Sequence, residues 1–349
     1  MSTFVQSIRY EDRVLTILDQ TRLPQEEHYE VITDLAQAVE AIKQLRVRGA
    51  PAISLFGGFV LVQEAYRFEA ELSIYKQTLL ETSATLLATR PTAVNLRNVL
   101  DQLNPIIQDG TSVEEIRERL EKRTVDLYDQ DAQTSRQIGI HALELFQSGN
   151  RILTICNAGS IATAAYGTAL APFYIAKERG IELSVFASET RPLLQGARLT
   201  TWELQRAGID VTLITDNMVA HTLKEKQIDA IIVGADRITR NGDTANKIGT
   251  FQLALLAQAF GIPFYVAAPL STFDFSLISG DAIEIEERDP QEVTAIQGVA
   301  TAPAGVAVFN PAFDVTPHTL ITGIITELGV ITQPNEETIE QLTGLQPLG

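Results

Sequence analysis

From Arg151 onward, short apolar runs rich in β-formers alternate with helical segments, and this alternation narrows the fold more than any other feature. "RILTI" precedes a helical segment reaching Arg179, and "ELSVFA" precedes "PLLQGARLTTWELQRAG". "DVTLI" precedes "MVAHTLKEK", "DAIIVGA" precedes "GTFQLALLAQAFG", and "PFYVAA" follows. Runs this apolar are buried on both faces, the pattern of a parallel sheet covered by helices. The remainder, from "AIEIEERDPQEV", is expected to add strand material and to close on a helix in "HTLITGIITELG".

Before Arg151 the grammar is mainly helical. "FVQSIRYEDRVLTILDQTRLP" reads as two short strands around a turn at Glu11-Asp12. Thr33 or Asp34 is placed to cap "LAQAVEAIKQL", whose apolar residues recur at three- and four-residue steps. Pro51 suits the first turn of "PAISLFGGFVLVQEAYRF". Further helices fit "AVNLRNVLDQL" and the segment from Ser112 to Phe146, where Ser112 and Glu115 have capping-box spacing. The boundary is expected between Thr124 and Gly149, giving domains 1–130 and 131–349.

With 349 residues, 45% of them hydrophobic, the chain is long enough for two domains, or for one large domain with an extension. No apolar run reaches the roughly 18–20 residues of a membrane span. The start, "MSTFVQSIRYEDR", lacks a basic-then-apolar secretory pattern. A single cysteine forbids an internal disulfide and fits a reducing cytoplasm. The formal charge of -17 disfavours nucleic acid and anionic membrane as partners, yet leaves room for a small anion held by local donors. The four histidines are scattered without metal-site spacing, so no metal is expected.

In open α/β sheets, ligands bind in the loops beyond the carboxyl ends of the strands. Those loops hold Cys156-Asn157-Ala158-Gly159-Ser160, then Ser188-Glu189-Thr190-Arg191-Pro192 with Gln195, then Thr215-Asp216-Asn217, and finally "GADRITRNGDTANKIGT". The last of these, 234–250, reads as one long loop. In it Asp236 lies just beyond a buried strand, and Lys247 beside Asn246 is placed to bring charge to the next helix N-terminus, where free N–H groups and the helix dipole favour anions. Cys156, at a strand end before a helical segment, has a setting that stabilises thiolate, although apolar walls oppose this. In "RVRGAPAI", Arg48 with the N–H groups of Gly49 and Ala50 has the chemistry to hold a phosphate. None of these is a Walker A or GxGxxG fingerprint.

"RGAPAI", "CNAGSIATAAYGTAL", "ETRPLLQGARLTTWEL", "TDNMVAH" and "GADRITRNGDTANKIGT" closely resemble the methylthioribose-1-phosphate isomerase family, over most of the chain and in the same order. That family is related to ribose-1,5-bisphosphate isomerase and to regulatory subunits of the eukaryotic initiation-factor exchange complex. The resemblance implies a helical N-terminal domain with a small sheet, a Rossmann-like C-terminal domain and a homodimer. It implies an aldose–ketose isomerase of methionine salvage that needs no cofactor and acts on a small sugar phosphate. It also implies a catalytic pair, Cys156 and Asp236, and substrate contacts at Arg48, Gly49, Ala50, Arg90, Gln195, Asn246 and Lys247. Arg90 and Gln195 as substrate contacts come from the resemblance alone. The chemistry expects Asp236 as proton donor to the ring oxygen, kept protonated by a water-poor pocket, and Cys156 either stabilising the transition state or removing the C2 proton as thiolate, with a hydride shift from C2 to C1 as the rival route. The competing readings are isomerisation of ribose 1,5-bisphosphate or 5-deoxyribose 1-phosphate, and a regulatory subunit that binds a sugar phosphate or nucleotide without chemistry.

Overall fold

The computed structural model describes residues 4–90 and 94–344. The chain divides into two compact units: Met1–Ser135 with Gly159–Gly167, and Arg136–Ala158 with Thr168–Gly349.

In the first unit, β1 (Ile8–Glu11) and β2 (Val14–Leu18) form an antiparallel hairpin, and β3 (Tyr29–Val31) pairs with β2. The hairpin loop is Asp12-Arg13, with φ of 49° and 65°, the left-handed pair that a tight two-residue turn requires. Four helices follow: α1 (Leu35–Lys43), α2 (Ala50–Arg67), α3 (Leu72–Thr89) and α4 (Val94–Asp109). The long α5 (Val113–Leu143) begins in this unit. Asp34, not Thr33, caps α1, its side chain accepting from the Gln37 N–H. Ser112 Oγ accepts the Glu115 N–H at the start of α5, but the Glu115 carboxylate reaches back to Thr111 rather than Ser112. The sequence pattern had not marked α3.

Helix α2 is buried from Ala52 to Val62 on every side, which makes it a core helix rather than an amphipathic surface one. Phe56, Phe59 and Leu61 are almost fully enclosed, among Tyr75 and Leu79 of α3 and Leu96, Leu100 and Leu103 of α4. Each such side chain contributes about 1.5–3 kcal/mol by leaving water. This fixes the α2 N-terminus, where Arg48 and Gly49 lie.

The second unit is built on a seven-stranded sheet. Its strands are β4 (Arg151–Thr154), β5 (Ser184–Ser188), β6 (Asp210–Ile214), β7 (Ala230–Val233), β10 (Phe264–Ala267), β15 (Gly323–Thr326) and β16 (Gly329–Thr332). The order across the sheet is β6-β5-β4-β7-β10-β15-β16, parallel throughout except for β16. The chain thus runs outward from β4 to β6, returns beside β4 as β7, and runs outward the other way. That is the doubly wound, Rossmann-like order with one antiparallel strand appended. The connecting helices are α6 (Ala171–Glu178), α7 (Thr201–Arg206), α8 (Val219–Glu225) and α9 (Thr250–Phe260). Right-handed crossovers place the helices of the two halves on opposite faces.

Three segments differ from the sequence expectation. The long loop 234–250 is a hairpin of β8 (Arg237–Thr239) and β9 (Thr244–Lys247). With β11 (Phe273–Asp274) and β14 (Phe313–Thr316) it makes a second sheet, ordered β11-β8-β9-β14, while β12 (Ala295–Ile296) and β13 (Val299–Ala300) pair as a separate short hairpin. The expected helix in "HTLITGIITELG" is instead β15 and β16. Gly323 to Thr326 are all buried, and the β-branched Ile324-Ile325-Thr326 run fits a strand flanked on both sides. The closing helix lies later, at Glu336–Thr343, capped by Asn335. Finally, no helix starts directly after Cys156. Ser160–Ala162 makes one 3-10 turn, Gly167 takes φ of 84°, and α6 begins only at Ala171 with Pro172 in its first turn. Among the described residues no helix is long and apolar enough to cross a membrane.

Candidate active site

In a sheet of this order, ligands bind where the strand order reverses, here at the carboxyl ends of β4 and β7. Leu153 of β4 pairs with Ile231 of β7, so the two ends are level. Cys156 stands two residues past β4, and Asp236 stands three past β7. Their loops approach closely: a Cβ on Gly234 would lie 2.9 Å from the Ala158 Cβ, so glycine is what the packing accepts there. The predicted pair therefore leaves neighbouring strands at the same edge.

Cys156 is 9% exposed and adopts φ of 65°, in the left-handed region. For a residue with a Cβ this costs about 1–2 kcal/mol. Its backbone is gripped at both ends. The N–H donates to Thr190 Oγ1 at 2.8 Å, and Thr200 Oγ1 donates to its carbonyl at 2.6 Å. The expectation that a helix N-terminus faces the sulfur is not met, because the segment after it is irregular up to Ala171.

The loop after β5 is anchored by Asp216. Its carboxylate accepts Ser188 Oγ at 2.6 Å, the Thr190 N–H at 2.9 Å and the Arg191 N–H at 2.7 Å. Gln195 then opens a π-type turn, Gly196–Thr200, that leads into α7. A Cβ on Gly196 would fall on the Ser188 carbonyl oxygen, so only glycine lets the turn sit on the end of β5. Gln195 is buried, and its Oε1 has no hydrogen-bond partner among the described residues.

Asp236 introduces the β8–β9 hairpin, and its N–H donates to the Ala245 carbonyl at 2.9 Å. Its side chain is exposed, which corrects the expectation of a water-poor setting. Asn246 and Lys247, on β9, are buried instead. Asn246 Nδ2 donates to Thr250 Oγ1 at 3.0 Å, and Lys247 Nζ donates to the Ala312 carbonyl at 3.0 Å while lying 4.7 Å from the Phe313 ring centre. Lys247 does not serve the α9 N-terminus. That position is taken by Asp314, whose carboxylate accepts the Gly249 N–H at 2.7 Å and the Phe251 N–H at 3.0 Å. Burial raises the Asp314 carboxyl to about 6, although those two N–H groups and Lys247 pull it down.

In the first unit, Gly49 takes φ of 90° as the N-cap of α2, Ala50 begins the helix and is exposed, and Arg48 precedes them partly exposed. Arg90 caps the carboxyl end of α3; Pro91 after it lies outside the described residues. The structure thus gathers Asp236, Asn246 and Lys247 on one hairpin, and ties Cys156 to the Gln195 turn through Thr190 and Thr200. Sequence reading placed Asn157 and Thr190 in the strand-end loops without a role, and missed Asp314, Thr200 and Glu203. Asn157 Nδ2 donates to Thr200 Oγ1 at 3.2 Å and also to Glu203, and the Tyr174 hydroxyl donates to Glu203 at 2.6 Å. Among the described residues, no three of His, Cys, Asp and Glu gather into a group able to hold a metal.

Residues 46–333 match the model of the initiation factor 2 subunit family. The chain is 79% identical over 344 residues to the methylthioribose-1-phosphate isomerase of Exiguobacterium sibiricum, covering 99% of both chains. Two solved structures superpose on nearly the whole chain. The 5-methylthioribose 1-phosphate isomerase of Pyrococcus horikoshii has TM-score 0.95 and 39% identity, covering 99% of this chain and 97% of that one. A protein solved as translation initiation factor eIF-2B, subunit delta, from A. fulgidus has TM-score 0.92 and 41% identity, covering 98% and 100%. The chain belongs to the initiation factor 2 subunit family, among its methylthioribose-1-phosphate isomerase members.

Proposed function

We propose that this chain is an aldose–ketose isomerase that converts 5-methylthioribose 1-phosphate to 5-methylthioribulose 1-phosphate in methionine salvage. One observation carries the proposal: a thiol and a carboxyl leave the carboxyl ends of β4 and β7, the strands that flank the reversal of the sheet. The relative at 79% identity bears the name of that activity.

The reaction moves hydrogen from C2 to C1, breaks the ring C1–O bond and turns the C2 hydroxyl into a carbonyl. The steps are written for Asp236 as a carboxylate, and they balance without a proton on it at the start. Its carboxylate takes the proton of the C2 hydroxyl and delivers it to the departing ring oxygen. The C2 hydrogen passes to C1 either as hydride or by way of the Cys156 thiolate, which takes a proton from C2 and returns it to C1. The buried Gln195 Oε1 gains a partner when a sugar hydroxyl donates to it, recovering about 1–3 kcal/mol of desolvation cost. Lys247 and Asn246 are assigned to substrate contact in the second unit. Arg48, with the N–H groups of Gly49 and Ala50, and Arg90 are assigned to anion contact in the first. A cytoplasmic homodimer belongs to the same proposal, with light scattering after gel filtration as its check.

The test is turnover of methylthioribose 1-phosphate by wild type, Asp236→Asn and Cys156→Ser. Both variants are expected to lose about 10²–10⁴-fold in kcat; an Asn variant with near-wild-type kcat refutes the Asp236 role. Turnover in deuterated water separates the hydrogen routes, since deuterium at C1 of the product excludes a pure hydride shift. The A. fulgidus likeness at 41% identity favours a second reading, a regulatory subunit without chemistry. Absence of ketose product from wild type on methylthioribose 1-phosphate, ribose 1,5-bisphosphate and 5-deoxyribose 1-phosphate would select it.

A further inference from the structure

Next to Cys156 in the chain of hydrogen bonds lies a buried polar cluster that the proposed reaction does not use. Glu203 and Tyr174 are 0% exposed, Thr200 is 0% exposed, and Asn157 is 3% exposed. Glu203 comes from α7 and Tyr174 from α6. One Glu203 oxygen accepts Asn157 Nδ2 and the other accepts the Tyr174 hydroxyl. Asn157 Nδ2 also donates to Thr200 Oγ1, and that hydroxyl donates to the Cys156 carbonyl. A chain of hydrogen bonds therefore runs from Glu203 to the backbone of the strained cysteine.

We propose that Glu203 is a positioning residue for Cys156: through Asn157 and Thr200 it holds the Cys156 backbone in its left-handed conformation and so aims the thiol. The role extends the isomerase reading given above. The chemistry explains why the residue is acidic. A carboxylate accepts at both oxygens, so it satisfies an amide donor and a phenol donor together. A buried carboxylate is costly and is retained only where its donors are fixed. Glutamine keeps one acceptor but presents an NH2 in place of the other. Leucine leaves Asn157 and Tyr174 facing an apolar group.

The experiment compares wild type, Glu203→Gln, Glu203→Leu and Tyr174→Phe by three readouts: melting, kcat and KM on methylthioribose 1-phosphate, and the iodoacetamide alkylation rate as a function of pH. Alkylation reports on Cys156 directly, because the chain has one cysteine. The Leu variant is expected to lose about 10–100-fold in kcat with KM changed less than about threefold, and the Gln variant to lose about 3–10-fold. The alkylation profile should shift in the same order, Leu beyond Gln. A folded Leu variant with wild-type kcat and alkylation overturns the proposal, as does a lowered melting temperature with both rates unchanged. A Gln variant as impaired as Leu overturns it too. Should the Leu variant not fold, the Gln and Phe variants decide by the same readouts. If wild type turns over no sugar phosphate, the isomerase reading fails, and the alkylation order still tests the positioning role.

Discussion

Asp131 offers a quantitative test of burial in the first unit. It sits on α5, one turn past Tyr128. Its carboxylate accepts the Ala164 N–H at 2.8 Å, while the Tyr128 hydroxyl donates to the Ala164 carbonyl at 3.0 Å. Burial pushes the carboxyl from 3.8 up to about 6, with the Ala164 N–H pulling it partly back. A carboxyl raised in the fold binds more protons folded than unfolded between those two values. Stability from this group is therefore full below about pH 4 and is lost as pH rises through about 6. A shift of about two units corresponds to about 3 kcal/mol, and partial solvent access reduces this to about 1–2 kcal/mol. Asp131→Asn keeps the shape and the acceptor for Ala164 but carries no charge. It is expected to be more stable than wild type by about 1–2 kcal/mol at pH 8, with about a third of that advantage left at pH 4.5 and none below about pH 3.5. Urea melts at pH 4.5, 6 and 8 measure the difference. A gap that stays constant with pH, or a variant less stable than wild type at pH 8, refutes the reasoning.

Two further outcomes follow from the second unit. Asp314→Ala removes the acceptor of the Gly249 and Phe251 N–H groups at the start of α9, next to Lys247. It should cost about 1–2 kcal/mol, as loss of a helix cap does, and raise KM; a melting temperature and KM like wild type would contradict that account. Gly234→Ala puts a Cβ 2.9 Å from Ala158 and must push the Cys156 and Asp236 loops apart. Overpacking of this kind costs about 1–3 kcal/mol, and kcat is expected to fall more than stability does. Unchanged kcat would show that the spacing of those loops does not matter to turnover.

The parallel sheet was legible because its inner strands are buried, so "AIIV" and "RILT" carry no competing signal, while the edge strand β6 is largely exposed. "ITGIITELG" was misread because its apolar residues fall at helical as well as extended spacing, and length is the weaker arbiter in a short run. Two β-branched isoleucines followed by threonine were the local clue. The β8–β9 hairpin carried a signal that went unused: Asn241-Gly242 between two short runs marks a tight turn. Cys156 and Asp236 are singled out by their places at strand ends, and Gln195 as a substrate contact by family likeness. Asp314 is not, because it reaches Gly249 across 65 residues of sequence, and no local pattern encodes such a contact. Glu203 was hidden in "TTWELQR", where an acid on a helix reads as a solvated face. The burial of Lys247 reverses the ordinary tendency of lysine, and the exposure of Asp236 differs from the water-poor setting expected of it. Both follow from the hairpin, since β9 lies between β8 and β14 while Asp236 stands at its entrance.

The backbone at Cys156 bears on whether its sulfur is there for packing. A small buried hydrophobe asks only for volume, and an alanine or valine in an ordinary strand extension supplies it. Here the chain leaves β4 and turns at once into the left-handed region, where glycine would sit at little cost and a Cβ costs about 1–2 kcal/mol. Two hydroxyls bind the N–H and the carbonyl of this one residue, and each such bond contributes a net of about 0.5–1.5 kcal/mol. Together they offset the strain with little to spare. A position that favours glycine, yet holds a side chain with two buried hydroxyls bound to its backbone, supports the catalytic role proposed for the sulfur. The strain is confined to the carboxyl end of the strand beside the sheet reversal, the place where this fold binds its ligands.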